Sequence, residues 1–225
     1  LNERYDEEYG GFGEAPKFPS PHNLLFLLRY WKRTGKKKAL DIVENTLQKM
    51  AKGGMFDHVG YGFHRYSTDR KWLVPHFEKM LYDQAMLLMA YTEAYQATGK
   101  DEYRDTAEQI IAYVLRDLAS TYGGFYSAED ADSEGEEGKY YVWTVDELQN
   151  IAGDEGQNVL VYLGVKPGGN YVDEVTQEKT GTNILHVASD EPPGKLEEIK
   201  SKLFEQREKR VRPLLDDKIL TDWNG

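Results

Sequence analysis

Apolar residues recur at helical spacing in two stretches of the chain, residues 21–52 and 75–122. Both stretches follow one plan: a helical run leads through Thr-Gly-Lys into a second run, which ends at Gly-Gly and a hydrophobic residue. Glycine suits the left-handed conformation that ends many helices. Pro21 and Pro75 suit a first helical position, because proline lacks a backbone N–H and the N–H at that position has no partner within the helix. The pattern therefore predicts two αα-hairpins, the second beginning at Pro75.

Three long connections separate these regular elements, at residues 53–74, 123–143 and 164–193. Connections in compact domains are usually about 4–6 residues long, and long ordered loops often carry function. Hairpins that pack side by side place their short turns at one edge and their long loops at the opposite edge. We therefore expect any active or binding site to lie at the long-loop edge.

Shorter elements follow the two hairpins. Two strands are predicted at residues 125–128 and 139–143, and an amphipathic helix at residues 195–212. Thr144 and Glu147 have the spacing of a capping box that opens another short helix. Together the elements predict an all-α fold, a partial (α/α)6 toroid of αα-hairpins with small β-hairpin insertions in the long loops.

Composition narrows the class of protein. A chain of 225 residues with 40% hydrophobic residues can bury a core, and we expect residues 1–225 to form a single domain. The net charge of -11 repels a phosphate backbone, so nucleic acid is not an expected partner. The chain contains no cysteine, which excludes a disulfide or a thiol nucleophile within it.

The chain has no apolar run close to the roughly 20 residues that span a bilayer, and none resembles a secretory signal. A cytoplasmic location without membrane contact is therefore the expectation. The chain opens at Leu1 rather than Met, and both ends look cut from a longer sequence.

Four segments carry a resemblance to a known family. They read "GGFGEAPKFPSP", "GGMFDHVGYGFHRYSTDRKWLVPHFEKMLYDQA", "GGFYSAEDADSEGEEGKYYVW" and "DDKILTDWNG". The chain resembles the spermatogenesis-associated, YyaL-type family, whose members fuse a thioredoxin-like domain to a six-hairpin barrel similar to N-acylglucosamine 2-epimerase. The resemblance implies that this chain is the first part of the barrel, without the thioredoxin-like domain and the later hairpins. We expect the thioredoxin-like domain as a partner, and self-association of a barrel left open on one side.

Two histidines are the leading catalytic candidates. His76 is expected in the first turn of the second hairpin, where the helix dipole disfavours the imidazolium and leaves a neutral general base. His64 precedes it on an extended segment, and the two could supply the base and the acid of a proton transfer. Arg65 could hold the negative charge that develops on a sugar oxygen. A capping or packing role for His76 is the alternative.

Further candidates are carboxylates and aromatic rings. Glu78 and Asp130 are candidate catalytic carboxylates. The candidate substrate-binding residues are Arg65, Tyr66, Trp72, Asp132, Asp222 and Trp223. For each aromatic residue a place in the core is the alternative, and for the acidic segment a solvated loop.

We predict no cofactor and no metal site. The spacings of His58, His64 and His76 match no compact ligand motif. The acidic segment imitates a calcium loop but has Tyr141 where the bidentate glutamate belongs.

The leading functional hypothesis is a carbohydrate-active domain that epimerises or isomerises a small sugar by histidine acid–base catalysis. One alternative is hydrolysis of a glycoside by carboxylates. The other is a non-catalytic scaffold that binds a ligand or a protein for the thioredoxin-like domain.

Overall fold

The first predicted hairpin is present with the predicted bounds, residues 21–52. The structure is a computed structural model that describes residues 1–172 and 178–225, so part of the predicted connection at 164–193 lies outside the described residues. Helix α1 spans Pro21–Thr34 and α2 spans Lys37–Lys52. Between them Gly35 has φ +69°, the left-handed conformation in which glycine carries no steric cost.

The second hairpin consists of α3, Leu81–Thr98, and α4, Asp101–Tyr113, which continues into the π-helical turn Val114–Leu118. Helix α3 packs against α1, α2 and α4, and its buried residues include Leu87, Ala90, Tyr91 and Ala94. Because it is surrounded by other elements, its apolar residues lie on all sides rather than along one stripe.

The predicted start of this hairpin at Pro75 is wrong. Pro75–His76 forms strand β2, antiparallel to β1 at Tyr66–Ser67, and Lys79–Met80 forms β3. Pairing with the segment before it keeps this stretch extended, and proline is tolerated in so short a strand because it need not donate a ladder hydrogen bond. Helix α3 begins only at Leu81, so His76 is not in a helix.

The other strands are also two residues long. Strand β4, Ala128–Glu129, lies between β3 and β9, Leu215–Asp216, in a three-stranded sheet. Two antiparallel pairs complete the set: β5 with β6, and β7 with β8. Their bounds are Asp132–Ser133, Glu136–Glu137, Trp143–Thr144 and Thr182–Asn183. The predicted strands at 125–128 and 139–143 thus overlap β4 and β7 only at their last residue, because partners far along the chain set the paired positions.

The later helices build a second core. Thr144 and Glu147 form the predicted capping box at the start of α5. The remaining helices are α5, Val145–Ala152; α6, Gln157–Tyr162; α7, Leu196–Arg207; and α8, Thr221–Asn224. Short 3-10 turns occupy Asn2–Arg4 and Asp154–Gly156. Helix α7 stops five residues short of the predicted end at 212, after which Arg210 and Arg212 reach carbonyl and carboxylate acceptors on other segments.

The described part of the chain is mostly helical with small sheets, and it forms part of an (α/α)6 toroid, as predicted. Ile111, in α4, and Leu115, in the π-helical turn that follows it, remain 42% and 60% exposed. Exposed apolar residues favour association between copies, and self-association of the isolated segment stays a prediction.

Candidate functional site

The ribbon of β1 and β2 lies at the long-loop edge and separates the two candidate histidines. The His76 ring stacks on Tyr66, with centroids 4.9 Å apart, whereas the His64 ring contacts Phe77 edge to face at 5.3 Å. The two imidazoles therefore have different neighbours, and the structure does not bring them into contact.

His64 is enclosed by aromatic rings and is only 2% exposed. Its ring meets Tyr141 edge to face at 4.8 Å, and Nδ1 lies 2.8 Å from the carbonyl oxygen of Phe77. Burial, reinforced by the nearby Lys79 ammonium, lowers the pKa of His64 to about 3. The ring is therefore neutral near pH 7. Because a carbonyl only accepts, Nδ1 carries the hydrogen and Nε2 the lone pair.

A small cavity adjoins His64. Its volume is about 20 Å³, and its lining includes Tyr141 and Trp143. The Tyr141 hydroxyl and Trp143 Nε1 are buried and have no hydrogen-bond partner among the described residues. A space of this size accommodates one water molecule, whereas ligand pockets measure hundreds of Å³. The His64 side of the ribbon cannot receive a sugar without rearrangement.

The solvent side of the ribbon carries a group of charged residues that we call the His76 cluster: Arg65, His76, Glu78 and Glu137. His76 Nδ1 lies 2.7 Å from Glu137 Oε1, and Nε2 lies 3.6 Å from Glu78 Oε2. The Arg65 guanidinium donates to the same Glu78 oxygen at 2.7 Å. About a quarter of the His76 and Glu78 side chains is exposed, so a solute can reach this cluster.

The protonation of His76 differs from the expectation. Its hydrogen bond with Glu137 raises the pKa of His76, and partial burial opposes this. The same hydrogen bond lowers the pKa of Glu137. The expected effect of a helix dipole does not arise, because His76 lies in a strand. Glu137 belongs to the acidic segment for which a solvated loop was the alternative, and only the folded chain brings it to His76.

Asp83 stands next to this cluster in the first turn of α3. It is 8% exposed, and its Oδ2 has no hydrogen-bond partner among the described residues. Burial raises the pKa of Asp83 to about 7; the guanidinium of Arg65 opposes the rise and the carboxylate of Glu78 adds to it. Helical spacing predicts that Asp83 shares a face with His76 and Lys79, but the helix begins only at Leu81, so that spacing does not apply.

A separate group of buried charges lies on the His64 side; we call Asp57, Lys79 and Arg207 the Asp57 cluster. Lys79 Nζ and an Arg207 nitrogen each lie 2.8 Å from an Asp57 carboxylate oxygen. Lys79 also donates to the carbonyl of Tyr61. All three side chains are at least 96% buried. This cluster links three segments, namely the loop after α2, strand β3 and the end of α7, so its role is structural.

The other candidate residues are dispersed. Trp72 is fully buried, and its Nε1 donates to the carbonyl of Tyr9, so it has no free face for a sugar. Asp130 and Asp132 are exposed, and β5 pairs Asp132 with Glu137. Trp223 is half-buried and meets the Tyr82 ring edge to face at 4.8 Å. Its neighbour Asp222 is exposed in α8.

Within residues 1–172 and 178–225, no three His, Asp or Glu side chains converge as a set of metal ligands. In that part of the chain, no helix combines the length and the apolar character needed to cross a bilayer.

The fold is similar to that of sugar epimerases. The cellobiose 2-epimerase from Bacillus thermoamylovorans superposes with a TM-score of 0.53 at 19% identity, covering 60% of this chain and 39% of that one. A sugar epimerase from a ruminal bacterium gives a TM-score of 0.51 at 20% identity, covering 57% and 36%. At such low identity the likeness shows the fold alone.

Sequence comparison identifies the family. No protein-family model matches the chain. The chain is 45% identical over 266 residues to spermatogenesis-associated protein 20 of Homo sapiens and 44% identical over 261 residues to that of Mus musculus. Both matches include the whole chain but only 33% of the relative. The chain therefore belongs to the spermatogenesis-associated protein 20 family and spans about one third of the length of these relatives.

Proposed function

We propose that the chain supplies the acid–base wall of a carbohydrate-active site, in which the His76 cluster moves a proton on a sugar as an epimerase or isomerase does. The observation that supports this is the pair of carboxylates around one accessible imidazole, His76, with Arg65 beside them. The fold neighbours are named sugar epimerases, which makes a sugar the first substrate class to test.

The chemistry follows from the contacts of His76. Glu137, at 2.7 Å from Nδ1, orients the ring and stabilises the imidazolium that forms when the ring accepts a proton. A histidine whose pKa is raised from 6.5 still exchanges protons near neutral pH. Nε2 is then the atom that takes a proton from the carbon next to the sugar carbonyl.

Arg65 supplies the complementary charge. Its guanidinium already neutralises Glu78, so two charges of opposite sign lie on the same face of the ribbon as His76. Negative charge that develops on a sugar oxygen would be stabilised by the guanidinium, as in other sites with fixed donors. His64 has no place in this proposal as a base, because it is enclosed and its pKa is about 3.

The test uses the full-length protein and its His76→Gln variant. Each would be incubated in D2O with a panel of aldoses, ketoses and disaccharides, and deuterium at the carbon next to the carbonyl would be followed by NMR. Loss of general-base catalysis corresponds to a fall of about 10²- to 10⁴-fold. Glu93→Gln, whose partly exposed side chain pairs with Arg29 away from the His76 cluster, is the matched control. Exchange that is unchanged in His76→Gln would overturn the role of His76.

A non-catalytic binding scaffold is the second candidate. Two observations support it: His64 is enclosed, and the cavity beside it holds only one water molecule. Both indicate a structural role for His64 and its surroundings. A scaffold would bind the thioredoxin-like domain expected in the full-length protein but would exchange no deuterium. The third possibility, hydrolysis by carboxylates such as Glu78 or Asp130, would release free sugars from glycosides in the same panel.

A further inference from the structure

Three aromatic rings form a row on neighbouring extended segments at the His76 cluster. In the antiparallel register of β1 and β2, Tyr66 lies opposite His76. The next residue, Ser67, pairs with β2 on one side and with Lys17 on the other, the latter through two backbone hydrogen bonds of 2.7 Å and 2.9 Å. Strand β1 is therefore the middle one of three extended segments. Phe18, which follows Lys17, lies beside Tyr66 on the side away from β2.

The ring contacts follow the order of these segments. The Tyr66 and His76 rings have centroids 4.9 Å apart and planes inclined by 22°. The Phe18 and Tyr66 rings also have centroids 4.9 Å apart, with planes inclined by 32°. Cross-strand neighbours of this kind are the contacts that stabilise a small sheet. Tyr66 therefore has a ring on each side, and a sugar could stack on it only by displacing one of them.

The orientation of His76 is restrained in two ways. Its Nδ1 lies 2.7 Å from Glu137 Oε1, which fixes the direction in which that nitrogen points. One hydrogen bond still leaves the imidazole free to turn about the line that joins the two atoms. The Tyr66 ring removes this freedom, because stacking of two rings restricts the plane of each. Together the two restraints set the position of Nε2, which lies 3.6 Å from Glu78 Oε2.

We infer that Tyr66 is a positioning residue of this site, whose ring, braced by Phe18, fixes the plane of the His76 imidazole and thereby the position of Nε2. The inference rests on the proposed function, in which Nε2 takes the proton, and it gives Tyr66 a role without contact with the sugar. When His76 has accepted the proton, the Tyr66 ring also faces a positive charge. A cation within about 6 Å of an aromatic centroid is attracted to the face of the ring.

The charged groups around His76 are the other members of the cluster. The hydrogen bond with Glu137, from β6, raises the pKa of His76, and partial burial opposes this. The charge of Glu78, from the residues between β2 and β3, raises that pKa further, whereas Arg65, which precedes β1, lowers it. Loss of the Tyr66 ring face would remove one more contribution in favour of the imidazolium. Leucine at this position keeps an apolar side chain over His76, so Tyr66→Leu removes the ring face while His76 stays partly buried.

The first experiment measures the pKa of His76 in the full-length wild type, Tyr66→Leu, Tyr66→Phe and Tyr122→Leu. Tyr122 is 93% exposed, so the last variant is a matched control. Diethyl pyrocarbonate modifies neutral imidazole, and its rate of reaction at His76, followed by peptide mass spectrometry across pH, gives that pKa. We expect the pKa to fall by about 0.5 in Tyr66→Leu, the size of a cation–π contact at an exposed site. Tyr66→Phe and Tyr122→Leu should match the wild type.

The second experiment measures kcat and KM for deuterium exchange in the same variants, with the sugars of the panel. A residue that positions His76 acts on the chemical step, and a misplacement of about 1 Å can cost about 10²-fold. Tyr66→Leu should therefore lower kcat by about 10²-fold with KM almost unchanged, and Tyr66→Phe should keep the wild-type kcat. A residue that binds the sugar would instead raise KM.

The outcomes separate the two proposals. A wild type that exchanges no deuterium with any sugar refutes the proposed function, and the catalytic role of the stack with it. An active wild type refutes the role of Tyr66 alone if Tyr66→Leu keeps either the pKa of His76 or kcat. The same holds if KM rises at unchanged kcat, or if Tyr66→Phe loses as much as Tyr66→Leu. If urea unfolding shows that Tyr66→Leu does not fold, Tyr66→Ile, which suits a strand, takes its place under the same criteria.

Discussion

Replacement of Asp57 by alanine tests whether the Asp57 cluster holds the two halves of the chain together. Asp57 neutralises Lys79 and Arg207, and its Oδ1 also accepts the backbone N–H groups of Val59 and Gly60. Burial alone would raise the pKa of Asp57, but the two cations outweigh it and hold that pKa well below its usual range. The carboxylate is therefore charged at neutral pH, and its removal leaves two buried cations unneutralised.

The magnitude follows from the burial of the three side chains, of which at most 4% is exposed. Breaking a buried ion pair by removing one partner costs about 3–5 kcal/mol, because the remaining charge is left without compensation. Asp57→Ala removes the partner of two cations at once, so we expect a loss at the upper end of that range. Against the roughly 5–15 kcal/mol of a typical domain, this is a large part of the free energy of unfolding.

The assay is urea unfolding followed by far-UV circular dichroism, with the free energy of unfolding extrapolated to water. The matched control is Glu93→Ala, whose ion pair with Arg29 lies at the surface and should contribute at most about 1 kcal/mol. Asp57→Asn, which keeps the shape and part of the hydrogen bonding, serves if the alanine variant does not fold. A loss below about 1 kcal/mol for Asp57→Ala would contradict the reasoning.

Three further outcomes are expected. Thr144→Ala removes the side-chain half of the α5 capping box and should lower the free energy of unfolding by about 1 kcal/mol, and an unchanged value would contradict the cap. Gly62→Ala would place a Cβ 2.6 Å from the Tyr113 ring at φ +78°, so a fall in thermal midpoint is expected, whereas no fall would contradict the packing. Since folding raises the pKa of Asp83 from 3.8 to about 7, its contribution to stability is fully present below about pH 4 and lost towards pH 7. Relative to the wild type, Asp83→Asn should gain up to about 4 kcal/mol between pH 4 and pH 8 in urea unfolding, and parallel curves would contradict this.

Local signals account for the parts of the fold that the sequence predicted. The turn at Gly35 and the capping box at Thr144 each depend on residues within one or two helical turns, so both can be recognised from the sequence without a tertiary structure. The family motifs added the prediction that these elements form a partial toroid. The start of α3 was mispredicted because Pro75 is as acceptable in a short strand as at a helix start, and pairing with β1 decided between them.

The candidate site depended on contacts that no local pattern contains. Glu137 meets His76 from 61 residues away, and Arg207 meets Asp57 from 150 residues away. The sequence could place His64 and His76 near each other along the chain, but it could not show that His64 is buried while His76 is partly exposed, because burial depends on tertiary contacts.

The sequence by itself determined the family, the helical hairpins and the expectation that polar residues lie at the long-loop edge. Each of these can be recognised from short-range periodicity or from long motifs. The tertiary structure alone decided which of those residues are charged, buried or accessible. That division has a physical reason: helix formation is governed by neighbours three and four residues apart, whereas a pKa is governed by the solvent and charges that the fold places around a group.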